Sequence, residues 1–264
     1  MICLTLDLDG TIVHRLDPID PELVILFKQF NQKGAKVAFV TGRMFSFAHR
    51  ALKDLDFPYY LALQNGADIL KMPGKLLLQR NYLKIEPILL TLKKLQVPVI
   101  FYSGFENGDF CYYQKSRFTP QELVYLEELK KINPIPWKEF FELEEIAHLS
   151  VPLIKFFGKE KDLIPLIEIF KGYSAQVIKD SVDPAQSILL LTAPCATKGD
   201  VVKFLREKLH ATSMIAAGDD RNDISMFLQA DYGIAMADAP SELKEVAHEV
   251  VSETLKKSLR KFLP

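Results

Sequence analysis

Ile2-Cys3-Leu4-Thr5-Leu6-Asp7-Leu8-Asp9-Gly10-Thr11 is the stretch that decides how this chain is read. The run from Ile2 to Leu6 has the apolar character of a buried strand. It ends by presenting two carboxylates one residue apart, followed at once by glycine and threonine. Acidic side chains at the end of a buried strand do not stabilise it, because an unpaired buried charge is costly. A divalent cation held by oxygen ligands would compensate them. A strand running into an ordinary Asp-Gly turn is the other reading of the same residues.

Working outward, the apolar runs alternate with helical patterns. Asp20-Pro21 supplies an N-cap and a proline at the first helical position. Leu23, Leu26, Phe27 and Phe30 then follow helical spacing as far as Gly34. A second strand is expected over 36–40, leading into Thr41-Gly42-Arg43 and a helix over 44–55. A third strand, over 59–63, ends at Asn65-Gly66. Short strands alternating with helices argue for an α/β fold, a Rossmann-like, doubly wound parallel sheet. Past the Pro73-Gly74 turn the rhythm changes. The segment predicts helices over 85–95, 120–132 and 161–170, strands over 97–102, 110–113, 153–157, 175–179 and 188–191, and a proline-interrupted stretch over 133–137. From Lys198 the alternation returns, and the strand over 214–217 ends in Gly218-Asp219-Asp220-Arg221-Asn222-Asp223. The expected organisation is a core made of residues 1–81 and 192–264, with an inserted α+β domain over 82–191.

The 264 residues are enough for one large or two modest domains. A net charge of −1 gives no electrostatic case for nucleic acid or an anionic membrane as the main partner. Asp7 and Asp9 break the first apolar run too early for a signal peptide, and no uncharged run is long enough for a bilayer span. Cys3, Cys111 and Cys195 are scattered, as expected in a reducing compartment, so a cytoplasmic location is expected. No histidine has zinc-ligand spacing with a cysteine.

In an open parallel sheet, strand ends converge on a crevice at the switch point of strand order. Asp7, Asp9, Thr41, Lys198 and Asp219 to Asp223 all fall at strand ends or helix starts. Carboxylates without a cysteine–histidine set suit Mg²⁺. A threonine and helix amides suit a phosphate oxygen. A lysine among the acids offers positive charge to a phosphoryl group and holds a carboxylate nucleophile ionised. Together these read as phosphoryl transfer through an aspartyl-phosphate. Asp220 and Arg221 are read as solvated loop residues.

The chain resembles the haloacid-dehalogenase-like hydrolases, in the Cof-like branch with a large α/β cap inserted after the third core strand. Four segments carry the resemblance in order: Asp7-Leu8-Asp9-Gly10-Thr11, Thr41-Gly42-Arg43, Lys198-Gly199 and Gly218-Asp219-Asp220-Arg221-Asn222-Asp223. Asn65-Gly66-Ala67 is similar to a segment usual just before the cap. The resemblance implies a Mg²⁺-dependent phosphatase acting on a small phosphorylated metabolite such as a sugar phosphate. Asp7 would attack phosphorus and Asp9 would serve as acid and then base. Lys198 would hold Asp7 and the phosphate together, Thr41 and Gly42 would bind the phosphate, and Asn222 would contact the phosphate or orient Lys198. The metal would lie among Asp7, Asp9 (through its main-chain carbonyl), Asp219 and Asp223. Arg43, Asn65 and His14 are expected at the substrate pocket, with Arg15 beside His14. A phosphotransferase or phosphomutase on the same core is the runner-up, and an idle binding module would have lost these residues. Where the family often has Ala-Met-Gly-Asn-Ala, this chain has Ala235-Met236-Ala237-Asp238-Ala239. That places Asp238 as an added negative charge near the metal side.

Overall fold

The computed structural model describes all residues except 15, 16, 133, 181, 184 and 253. It begins with β1 (Ile2–Leu6), α1 (Pro21–Gln32), β2 (Lys36–Val40), α2 (Phe45–Leu52) and β3 (Tyr59–Leu63). Asp20 caps α1 by accepting from the Glu22 N–H at 2.8 Å, with Pro21 at its first position. A hairpin of β4 (Asp68–Met72) and β5 (Leu76–Arg80) follows. Its second strand was not foreseen from the sequence, because its side chains are exposed or half-buried and show no apolar alternation.

The chain then makes an α+β excursion. Its elements are β6 (Leu83–Lys84), α3 (Leu89–Lys94), β7 (Val99–Tyr102), β8 (Cys111–Tyr113), α4 (Pro120–Ile132), β9 (Trp137–Glu139), β10 (Ser150–Val151), β11 (Leu153–Gly158), α5 (Glu160–Ile169), β12 (Ser174–Lys179) and β13 (Ser187–Thr192). Two expectations change here. The helix over 85–95 is a 3₁₀ turn, Glu86–Ile88, followed by the short α3. Pro87 fixes the backbone and removes an N–H there. The proline-rich stretch ends not in a loop but in β9, which pairs parallel to β8 once Pro136 has passed. The return comprises α6 (Lys198–Leu209), β14 (Ser213–Gly218), α7 (Ile224–Phe227), β15 (Tyr232–Ala235), α8 (Ser241–Val246), β16 (Glu249–Val250) and α9 (Leu255–Arg260).

Two compact units result, Met1–Arg80 with Ala196–Pro264, and Asn81–Cys195. The first is built on a sheet of order β16-β15-β14-β1-β2-β3-β4-β5. Strands β16 to β3 pair in parallel and the β4–β5 hairpin is antiparallel. Strand order reverses at β1, which lies between β14 and β2. Alternation along the strands supplies both faces of the core. Cys3, Ala38, Val40 and Ala216 pack with Val202 and Leu205 of α6 and Phe227 of α7. On the other face Phe39 meets Phe27 of α1 edge-on at 5.6 Å between ring centres. The second unit has a sheet of order β12-β13-β11-β7-β8-β9 and a separate two-stranded pair, β10 with β6.

Candidate active site

The carboxyl end of β1 is where the apolar run stops, so Asp7 sits beside the ends of β14 and β2. Its N–H donates to the Ala217 carbonyl at 3.0 Å, the last ladder bond before the strands separate. The chain must then turn sharply. Ile12 and Val13 donate back to the Leu8 carbonyl at 2.9 and 2.8 Å. Gly10 makes the turn with φ +78°, and a Cβ there would lie 2.1 Å from Asp219 Oδ2. Glycine is required by both the conformation and the approach.

Lys198 is the first residue of α6, whose N-cap Thr197 accepts from the Asp200 N–H at 3.1 Å. Its side chain is buried, 2% exposed, and its Nζ donates to Asp7 Oδ1 at 2.5 Å and to Asp223 Oδ1 at 2.6 Å. The second oxygen of Asp223 accepts the N–H groups of Asp219 and Asp220 at 3.0 and 3.1 Å. Asp223 therefore folds its own loop and fixes the lysine together. Thr11 Oγ1 donates to Asp219 Oδ1 at 3.1 Å, tying the first acidic loop to the last. The sequence alone assigns Thr11 no separate role. Its signal was a hydroxyl two residues past the second aspartate.

The electrostatics follow from burial. Burial raises Asp7 well above the usual carboxylate range; Lys198 pulls it down, and Asp223, Asp219 and Asp9 push it up. Asp219 is raised to about 7, first by burial and then by Asp223, against a smaller pull from Lys198. Burial alone would lower the Lys198 ammonium, but Asp223 and Asp7 reverse that and raise it. One carboxylate oxygen each from Asp7, Asp219 and Asp223 lie within 4.8 Å of one another. Three carboxylates with one lysine leave excess negative charge, and the donors are all oxygen. That set fits a hard divalent cation such as Mg²⁺. The Asp9 side chain is not part of this triad.

Asp9 turns instead toward Arg43. Arg43 Nε and an Nη donate to its two oxygens at 2.8 and 2.5 Å. Arg43 N–H donates to Thr41 Oγ1 at 3.1 Å, so the hydroxyl faces the start of α2. Beside it, Gln64, Asn65 and Gly66 have φ of +49°, +61° and +105°. This left-handed run lets the Gln64 and Asn65 N–H groups donate to the Arg43 and Thr41 carbonyls at 3.1 and 2.9 Å. Asn65 Oδ1 would lie 3.6 Å from a Cβ at Gly42. Asn65 Oδ1 and Asn222 Oδ1 are buried amide oxygens without a hydrogen-bond partner. Buried polar atoms of that kind call for a ligand or water.

The remaining expectations separate. His14 is exposed, and its carbonyl accepts from the Asp17 N–H at 3.0 Å. Arg15 lies outside the described residues. Asp220 is no simple solvated residue: it is partly buried and caps the following turn, accepting from the Arg221 N–H at 2.7 Å. Arg221 does reach the surface, where it pairs with Glu242 at 2.8 Å. Asp238 is exposed. Ser225, which the sequence did not single out, accepts from the Gly199 N–H at 3.1 Å.

Comparison with known proteins gives this arrangement its context. The chain is 26% identical over 281 residues to the phosphatase YwpJ of Bacillus subtilis, covering 95% of this chain and 94% of that one. It is 23% identical over 247 residues to the HMP-PP phosphatase of Serratia proteamaculans, covering 91% and 85%. A solved HAD subclass IIB sugar phosphatase shares the fold with a TM-score of 0.76 at 20% identity, covering 99% of both chains. No helix among the described residues is long and apolar enough to cross a membrane. The sequence profile of the haloacid dehalogenase-like hydrolases matches residues 4–263, and the chain belongs to that family, in its Cof-like branch.

Proposed function

We propose that this protein is a Mg²⁺-dependent phosphatase that hydrolyses a small phosphorylated metabolite of the sugar-phosphate kind, working in the cytoplasm. The observation that carries the reading is Lys198, buried between Asp7 and Asp223 at 2.5 and 2.6 Å. A buried ammonium bridging two carboxylates pulls against the burial that raises Asp7 and keeps a positive charge where phosphoryl oxygens arrive; a bound cation would add to that pull and favour the ionised nucleophile. The phosphatase names of the relatives and the sugar phosphatase of like fold point to the same chemistry.

In this mechanism a carboxylate oxygen of Asp7 attacks phosphorus and the ester oxygen leaves, taking a proton from Asp9. Water then gives a proton to Asp9 and attacks the same phosphorus, releasing inorganic phosphate and restoring Asp7. Thr41 Oγ1, the Gly42 N–H and the Asn222 side-chain NH2 donate to phosphoryl oxygens. Asp7, Asp219 and Asp223, with the Asp9 main-chain carbonyl, would hold a divalent cation, which would supply positive charge to the transferring phosphoryl group. The unit Asn81–Cys195 serves as the cap that selects the leaving group.

Asp7→Asn keeps the shape and removes the nucleophile. It is expected to lower phosphate release from an aryl phosphate in Mg²⁺ by roughly 10⁴-fold or more, with an unchanged thermal transition cooperativity. Full activity in that variant overturns the assignment. Phosphate release measured beside transfer to an added sugar separates hydrolysis from phosphotransfer.

A further inference from the structure

The two oxygens of Asp9 are both taken by one guanidinium, at 2.8 Å from Arg43 Nε and 2.5 Å from its Nη. The burial is lopsided. The Arg43 side chain is 4% exposed and that of Asp9 is 48% exposed. A half-exposed ion pair contributes little to stability, so a buried arginine spent on it needs another explanation. The arginine is itself held. Its guanidinium lies 4.2 Å from the centre of the Phe47 ring, and an Nη reaches the Phe47 carbonyl at 3.5 Å. Its N–H is fixed on Thr41 Oγ1. A planar fork locked on an aromatic face fixes the carboxylate it grips in both position and plane. The Asp9 backbone lies in the Leu8–Val13 turn, bridged to Val13, and its side-chain carboxylate is directed by this fork.

We infer that Arg43 is the positioning residue for Asp9: it aims the acid–base carboxylate and does not itself bind substrate. This rests on the reading of Asp9 as acid and base given above. The same segment, Thr41-Gly42-Arg43, then presents a hydroxyl to the phosphoryl group and sets the group that moves the proton. The start of α2 thus ties phosphate binding to proton transfer in one rigid piece.

The test uses full-length protein with an aryl phosphate and an alkyl phosphate. Arg43→Gln loses the fork, and Arg43→Lys keeps charge and the stem packing but cannot grip two oxygens. Both variants are expected to lower kcat on the alkyl phosphate by roughly 10²–10⁴-fold, the usual contribution of a positioned acid or base, with KM within about threefold of the original. On the aryl phosphate, whose leaving group needs little protonation, they release one equivalent of aryl alcohol in a fast burst before slow turnover. In the Asp9→Asn background, Arg43→Gln adds no further loss, because both changes remove one function. A raised KM with kcat intact assigns Arg43 to substrate binding and overturns the inference, as does wild-type kcat in Arg43→Gln beside an inactive Asp9→Asn. Wild-type kcat on the alkyl phosphate in Asp9→Asn itself removes the acid–base reading and the inference with it. The thermal transition of Arg43→Lys reports that the fold is intact.

Discussion

Lys198 can neutralise only one of the three carboxylates that crowd it, and the consequence appears in Asp219, raised to about 7 by burial and by Asp223. Below the ordinary carboxylate range this side chain carries a proton in folded and unfolded chains alike. Between that range and about pH 7 the folded chain keeps a proton that the unfolded chain has released. The stability this group supplies is therefore present at low pH and is lost as pH climbs through about 7. In chelator, the thermal midpoint is expected to fall between about pH 5 and pH 8, and Asp219→Asn is expected to flatten part of that fall. Asp7 and Asp220, raised chiefly by burial, act in the same direction. Mg²⁺ at ~100 times its dissociation constant adds about 2.7 kcal/mol, read as roughly 5–10 °C near pH 8, and adds less toward pH 5, where protons compete for the same oxygens. Thermal melts with and without Mg²⁺ check this. An Asp219→Asn protein that gains as much from Mg²⁺ as the original contradicts the ligand assignment.

At the scale of elements, the site depends on how closely α6 and α7 approach. Gly199, in the first turn of α6, lies so near α7 that a Cβ would stand 2.5 Å from the Ser225 backbone oxygen. Gly199→Ala must push the two helix starts apart, at a cost of about 1–3 kcal/mol. Because Lys198 precedes it, the shift also draws Nζ from Asp7 and Asp223, so kcat should fall further than the midpoint suggests. Gly74→Ala is the control: a Cβ there meets nothing within 4 Å, and the change should stay within about 0.5 kcal/mol. Equal effects in melts and kinetics for the two variants would contradict the packing argument. Such approaches are invisible in a sequence, whereas the elements themselves were largely legible. Apolar runs ending in Asp7, Thr41 and Asp219 mark strand ends because polar residues interrupt them at one place. Strand β5 escaped notice because Leu76–Arg80 is half-buried at the sheet edge and lacks alternation. Strand β9 hid behind Pro134 and Pro136, which signal a loop but stop one residue short of the pairing. The grip of Arg43 on Asp9 joins residues 34 apart, and no local pattern encodes which acid a buried arginine will face.

For the whole molecule, the question is whether the excursion between β5 and α6 is a domain or a decorated loop. Asn81–Cys195 has its own six-stranded sheet and its own buried aromatic contacts, Phe101 with Phe140 at 5.8 Å and Phe156 with Phe170 at 5.4 Å. Leu153, Ile154, Leu189 and Leu191 are fully buried within it. Its ends meet: Asn81 Nδ2 donates to the Cys195 carbonyl at 3.2 Å. A segment with its own core and adjacent ends is what a tolerated insertion requires. Expressed alone, Asn81–Cys195 is expected to fold, with dispersed amide resonances and a single cooperative thermal transition. It should release no phosphate from an aryl ester, because Asp7, Lys198 and Asp219 all lie in the other unit. A collapsed spectrum without a cooperative melt would mean that this core is completed by the rest of the chain. Then the insertion could not vary independently of the unit that carries Asp7, Lys198 and Asp219.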